Sequence, residues 1–357
     1  MIEQLAKAFE SKDYHTAAKI LKQLLKEKPG DPWVQLYLGK LHQVSGKRPQ
    51  AEKIYRQLLR TTTNSKILSQ ARQGLQQLQD IEKEERQRAI SQATSDPSNA
   101  ELGVLILEPL TSELKTIVAP KFAQIMQLDP YNARLMLPSR GWRLYRSGAI
   151  GELQFYGEQL QQAGIPCFWT TISAIEEIQV FQVKYFSASQ PQPTIVCCNQ
   201  ENQLGSLTFA WSEVTTKVLG LIPIFEQVVD VDSRRQLQRK TQTQDYAQFC
   251  DLHLPSRNTI LRLYDRGYEF QEGIGITHQA SENTMTIHWQ SLMQWLSSQI
   301  PHAEEWSNFT HFAQTALEET ELLGNIQPHI HLFRREKTNW DPAFHLYSGL
   351  VFLNLLN

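Results

Sequence analysis

A period of 34 residues at the start of the chain constrains its fold more than any other feature. Leu5, Phe9, Lys12, Tyr14, Ala17, Leu21, Leu24 and Pro29 fall one period later on Gly39, Gln43, Gly46, Arg48, Ala51, Tyr55, Leu58 and Thr63. Within each unit the apolar positions recur at three- and four-residue steps, the spacing that puts side chains on one face of a helix. Gly39 and Ala51 are placed where two helices of a hairpin cross, and a larger substituent there would hold the backbones apart. Leu21, Leu24 and Leu25 form an apolar stripe that a lone hairpin cannot bury, so the next hairpin must cover it.

The first unit supplies Asp13-Tyr14, Ala17 and the closing Pro29; the second supplies Leu38-Gly39, Gly46, Ala51 and Tyr55. In period and small-residue positions this segment resembles the tetratricopeptide repeat family. The resemblance implies packing roles for Gly39, Ala17, Ala51 and Tyr55, and a concave groove that holds a peptide or a partner helix. The alternative is a short stack that braces the next domain or makes a dimer. Residues 64–93 read as one longer helix, with Ile67, Leu68, Ala71, Leu75, Leu78 and Ile81 on its apolar face. Residues 94–100, containing Ser95-Asp96-Pro97-Ser98-Asn99, have the composition of a linker.

A chain of 357 residues exceeds the usual size of one core, so several units are expected. Charge is distributed unevenly: residues 1–100 carry 17 Lys and Arg against 11 Asp and Glu, whereas residues 176–357 carry 12 against 20. The basic excess sits on ordinary amphipathic helices and does not require nucleic acid. Cys167, Cys197, Cys198 and Cys250 show no Cys-x-x-Cys spacing and read as reduced, mostly buried thiols. The N-terminus lacks the pattern of a secretory signal, and the longest apolar run, Val218 to Phe225, is too short to span a bilayer, so a cytoplasmic location is expected.

Residues 101–175 read as a β-α-α-β-α-β module. The run 103–109 is a buried strand ended by Pro109, and 113–128 is a helix that Pro120 bends or restarts. Asp129-Pro130 opens a second helix, 142–146 alternates like a strand, 150–163 is a helix closed by Gly164, and 165–172 is the last strand. That order resembles the fold shared by the Clp protease adaptor ClpS and the C-terminal domain of the ribosomal stalk protein. ClpS proteins read a substrate's first residue through acidic residues after the first strand; here that place holds Glu108-Pro109-Leu110. Arg140, Arg143 and Arg146 read as a solvated edge.

From 176 to 300 the pattern is of short strands, near 178–186, 194–199, 204–209, 215–225, 248–254, 259–264 and 267–270, then an amphipathic helix at 283–299. Strands followed by one closing helix resemble a pleckstrin-homology-like barrel. The polar stretch 230–244 reads as a long exposed loop whose Arg234, Arg235, Arg239 and Lys240 could contact phosphates. In the extension 301–357, a helix is expected at 304–323, a strand at 326–334, and apolar surface from Trp340 to Leu356 that must pack somewhere.

Chemistry leaves little trace. His329 and His331, two apart in the expected strand, would share a face and could share a metal, but no third ligand is apparent among His302, His311 and His345. There is no P-loop, Rossmann glycine fingerprint, Gly-x-Ser-x-Gly elbow or His-Glu-x-x-His. The expectation is a multidomain α+β protein: repeats at 1–93, a linker at 94–100, the module at 101–175, a barrel at 176–300 and an extension at 301–357. It would be a non-enzymatic interaction scaffold or assembly factor with protein partners and no cofactor or metal. Binding to a membrane surface or phosphate through the basic loop, and a proteolysis adaptor, are the alternatives.

Overall fold

In the computed structural model, residues 1–231, 237–275, 284–332 and 338–355 are described. The fold is mixed α+β, and the chain divides into two compact units, Met1–Gln92 and Ala93–Asn357.

The first unit is helical: α1 (Ile2–Glu10), α2 (Tyr14–Glu27), α3 (Pro32–Val44), α4 (Arg48–Thr61) and α5 (Ser65–Ala93). Each start has a local cause. The Asp13 carboxylate accepts from Thr16 N–H ahead of α2, and Asp31 accepts from Trp33 and Val34 N–H ahead of α3, where Pro32 needs no donor of its own. Between α3 and α4, Gly46 takes a φ of +74°, the left-handed conformation glycine adopts without penalty. Leu5, Ala17, Leu21, Leu24 and Val34 close the first hairpin onto α3, and Leu36, Ala51, Tyr55, Leu58, Ile67 and Ala71 close α3 and α4 onto α5. Each buried leucine contributes roughly 1.5–3 kcal/mol, which helix propensity alone would not supply.

The second unit begins with β1 (Leu102–Leu107), α6 (Ser112–Met126), α7 (Pro130–Met136), β2 (Arg143–Ala149), α8 (Ile150–Gln162) and β3 (Cys167–Thr171), the element order expected from the sequence. Its sheet is antiparallel, with β1 between β2 and β3. α6 runs on through Pro120 rather than restarting there. Gly164, at φ +81°, follows α8, and Ile165 N–H returns to Leu160 O at 2.9 Å.

There follow α9 (Ile172–Glu176), β4 (Gln179–Ala188), β5 (Thr194–Cys198), β6 (Leu204–Thr208), β7 (Thr216–Val231), β8 (Leu237–Leu254) and β9 (Thr259–Tyr264). The chain ends with α10 (Met285–Gln299), β10 (Glu304–Trp306), α11 (Phe309–Ala316), α12 (Thr320–Gly324) and α13 (Trp340–Asn354). The expected barrel is instead an open seven-stranded sheet in the order β10-β7-β8-β9-β4-β5-β6. Within it β4 pairs with β9 in parallel and with β5 antiparallel, and β10 and the exposed β6 are the two edges, which do not pair with each other.

The expected loop at 230–244 is also corrected. From Leu237 the chain is strand, with Gln238 opposite Asp230 and Gln242 opposite Glu226. Backbone pairing with β7 makes this stretch a strand, although its sequence of Gln, Arg, Lys and Thr shows no apolar alternation to read. The run 267–270 is turn rather than strand, and 304–323 divides into β10, α11 and α12. Residues 326–332 form no strand, and His329 has a φ of +49°.

Phe249 and Cys250, adjacent in β8, belong to different cores, as alternation along a strand requires. On the Phe249 side, α11 and α13 pack together with Val104, Ile106, Trp142 and Leu144 of the small sheet, so both sheets share one core. On the Cys250 side, Trp289, Leu292 and Leu296 of α10 cover Leu252, Leu261 and Leu263. Among the described residues, no helix is long and apolar enough to cross a membrane.

Candidate protein-binding groove

Of the four residues expected to pack the repeats, Ala17, Ala51 and Tyr55 are fully buried, and Gly39 lies against Tyr55. A methyl group at Gly39 would stand 2.6 Å from the Tyr55 ring, and one at Gly74 of α5 would stand 2.6 Å from its other edge. The tyrosine is thus gripped between glycines of two helices. Gly74 was not singled out by the repeat pattern, since it falls beyond the second period.

Tyr55 passes between these helices so that its hydroxyl emerges on the far side, donating to Gln43 Oε1 at 2.8 Å. Gln43 Nε2 in turn donates to Gln77 Oε1 at 3.0 Å, and Lys40 Nζ donates to Gln70 Oε1 at 2.7 Å. Lys40 also lies 5.3 Å from the centre of the Tyr37 ring. These groups line a hollow of about 370 Å³, together with Phe9, Val44, Gln73 and Gly74. Three consecutive first helices of the stack, α1, α3 and α5, therefore contribute its walls.

Burial lowers the Lys40 pKa and raises that of Tyr55. Among the described residues no carboxylate lies within ion-pair distance of Lys40, whose only hydrogen-bond acceptor is an amide. The hollow thus offers a half-buried cation, a row of side-chain amides that can both donate and accept, and the apolar surfaces of Phe9 and Val44. Gln70, Gln73 and Gln77 share one face of α5 by their spacing, a signal present in the sequence on the face that flanks the apolar stripe.

The other expected sites fare differently. Arg234 and Arg235 lie outside the described residues; Arg239 and Lys240 are in β8, their backbones opposite Val229 and Val228. His329 meets His345 edge-on with ring centres 5.1 Å apart, and its partnership with His331 on a strand face does not form. Among the described residues no group of three or more His, Cys, Asp or Glu is arranged to hold a metal ion. All four cysteines are buried and unpaired, and burial pushes the Cys167 thiol up to about 12 and that of Cys197 to about 11.

Residues 8–73 match the family model of the tetratricopeptide repeat. The comparisons with curated proteins and with solved structures find no match. The matched segment runs from Ala8, near the end of α1, through Gln73 of α5, so it covers α2, α3 and α4 and includes Gln70 and Gln73 of the hollow but not Gly74 or Gln77. Repeats of this kind stack helix pairs into a concave surface and generally bind protein partners.

Proposed function

We propose that the protein is a non-enzymatic scaffold whose repeat unit holds a segment of a partner protein in the hollow between α1, α3 and α5. The observation that supports this most is Lys40, half-buried and, among the described residues, hydrogen-bonded to the Gln70 amide with no carboxylate partner. A desolvated cation without a carboxylate gains most from a ligand that supplies one. The partner segment therefore carries an acidic side chain opposite Lys40 and apolar residues against Phe9 and Val44. Gln43, Gln73 and Gln77 are placed to meet its backbone polar groups.

The full chain and a Lys40→Glu variant, each immobilised and exposed to the same lysate, would be compared by quantitative mass spectrometry. The same protein should be enriched by the first and depleted at least about tenfold by the second, since reversing a charge at a desolvated contact costs well over 1.4 kcal/mol. Gly39→Arg, which breaks the packing under the hollow, should lose the same partner. Equal recovery by all three forms would refute the groove as the binding site.

A further inference from the structure

Strand β7 is paired with β8 along its length but on its other side, among the described residues, only with β10, which reaches Thr216 to Val218. Glu304 N–H donates to Thr215 O at 3.0 Å, so the odd-numbered residues of β7 turn their backbone groups toward β10. Pro223 has the same parity, and a proline is tolerated in a sheet where its missing N–H faces an unpaired edge. After Trp306 the chain leaves the sheet for α11, and among the described residues no strand continues beside β7. The carbonyls of Leu219, Leu221 and Pro223 and the N–H of Leu221 are left along an open edge without a backbone partner among the described residues.

Against this edge lies a cavity of about 400 Å³. Leu219 and Leu221 form its floor, Trp289 and Met293 of α10 one wall, and Phe309 and Thr310 of α11 the other. No residue lining it carries a charge. We infer that this slot receives an extended, uncharged segment of a partner protein, apolar at alternate residues, as an added strand on β7.

The backbone groups would give affinity through a short ladder, and the aromatic walls would select the alternate side chains. The walls also choose between occupants. Pairing two copies of β7 would bring their backbones within about 4.8 Å, a gap that α10 and α11 of both copies would obstruct, whereas a single peptide is narrow enough to enter. The slot is independent of the Lys40 hollow, since all its residues lie in the second unit.

Fluorescence anisotropy with the full chain tests this, using labelled capped peptides that alternate Val with Thr, Leu with Ser, and Phe with Thr. At least one should bind. N-methylation of every second amide should weaken it at least about tenfold in one parity and little in the other, because only one set of amides faces β7. Thr310→Trp, which fills the slot, should abolish binding; Leu221→Pro, which removes the edge N–H at Leu221, should weaken it severalfold; Lys40→Glu should leave it unchanged. Urea unfolding would establish that both slot variants are folded. The inference is overturned if no peptide binds, if the two methylation parities act alike, or if folded Thr310→Trp retains affinity. It is overturned in favour of a second copy if sedimentation finds a dimer that Thr310→Trp dissociates.

Discussion

Asp251 of β8 and Arg262 of β9 face each other across adjacent strands, joined by hydrogen bonds of 2.9 and 2.7 Å with the side chains 0% and 1% exposed. The guanidinium also donates to Pro328 O at 2.6 Å and lies 5.1 Å from the centre of the Phe344 ring on α13. The pair ties the sheet to the segment that leads into the final helix. Asp251→Ala strands a buried cation and should cost about 3–5 kcal/mol, whereas the double replacement Asp251→Leu with Arg262→Met should cost far less. Urea titration of the three forms checks this; equal losses would mean that the charges act independently.

The Tyr55 ring cannot retreat from Gly39 without meeting Gly74, as the two 2.6 Å approaches lie at opposite edges. Gly39→Ala and Gly74→Ala should each destabilise the repeat unit by about 1–3 kcal/mol, although alanine is the better helix former by about 1 kcal/mol. The double variant should lose at least about 0.5 kcal/mol more than the sum, because both methyls press on one ring. Thermal unfolding followed by helical circular dichroism reads the difference.

His253 is fully buried with Nε2 3.0 Å from Ser348 Oγ, and burial lowers its pKa to about 4 despite the nearby Asp251 carboxylate; Arg262 pushes it the same way as burial. The folded value lies below the ordinary value of about 6.5, so the unfolded chain binds more protons between those limits. The stability due to neutral His253 is therefore complete above pH ~6.5 and falls as pH drops toward 4, by about 3 kcal/mol in all. His329, lowered to about 4 mainly by burial, adds to the same slope. His253→Gln preserves a partner for Ser348 and should flatten the fall in unfolding free energy between pH 7 and 4; an unchanged slope would contradict this origin.

The thiols should be inert while the chain is folded. Cys167 and Cys197 are pushed up to about 12 and 11, Cys250 is raised by complete burial, and Cys198 is buried. A thiol-specific reagent at pH 8 should label none of the 4 cysteines in native protein and all of them in guanidinium. Rapid labelling of any in the native state would show a path for solvent to that site.

The helical unit was legible because its constraints are local. Asp31-Pro32 starts a helix by its own chemistry, and the spacing of Gly39 and Ala51 reports a contact a few turns away. The β-α-α-β-α-β order was read for the same reason, each element carrying its own period and stop signal. Strand pairing is not local. Nothing at Gln238 to Gln244 distinguishes a loop from a polar strand until β7 lies beside it, and Asp251 and Arg262, separated by ten residues, look like solvated charges until register sets them opposite each other. The Gln face of α5 was visible in principle, but apolar periodicity identifies what a helix buries and is silent about what its polar side holds.

Helix α13 places Phe344 beneath Gly220 and Ser348 against His253, so the central sheet is incomplete without it. During synthesis, then, residues 93 onward must wait for α13 to leave the ribosome before their main core can close, while the repeats, built from neighbours in sequence, can fold as they emerge. A stalled or truncated product lacking α13 would be a folded handle attached to an aggregation-prone sheet, a natural target for chaperones.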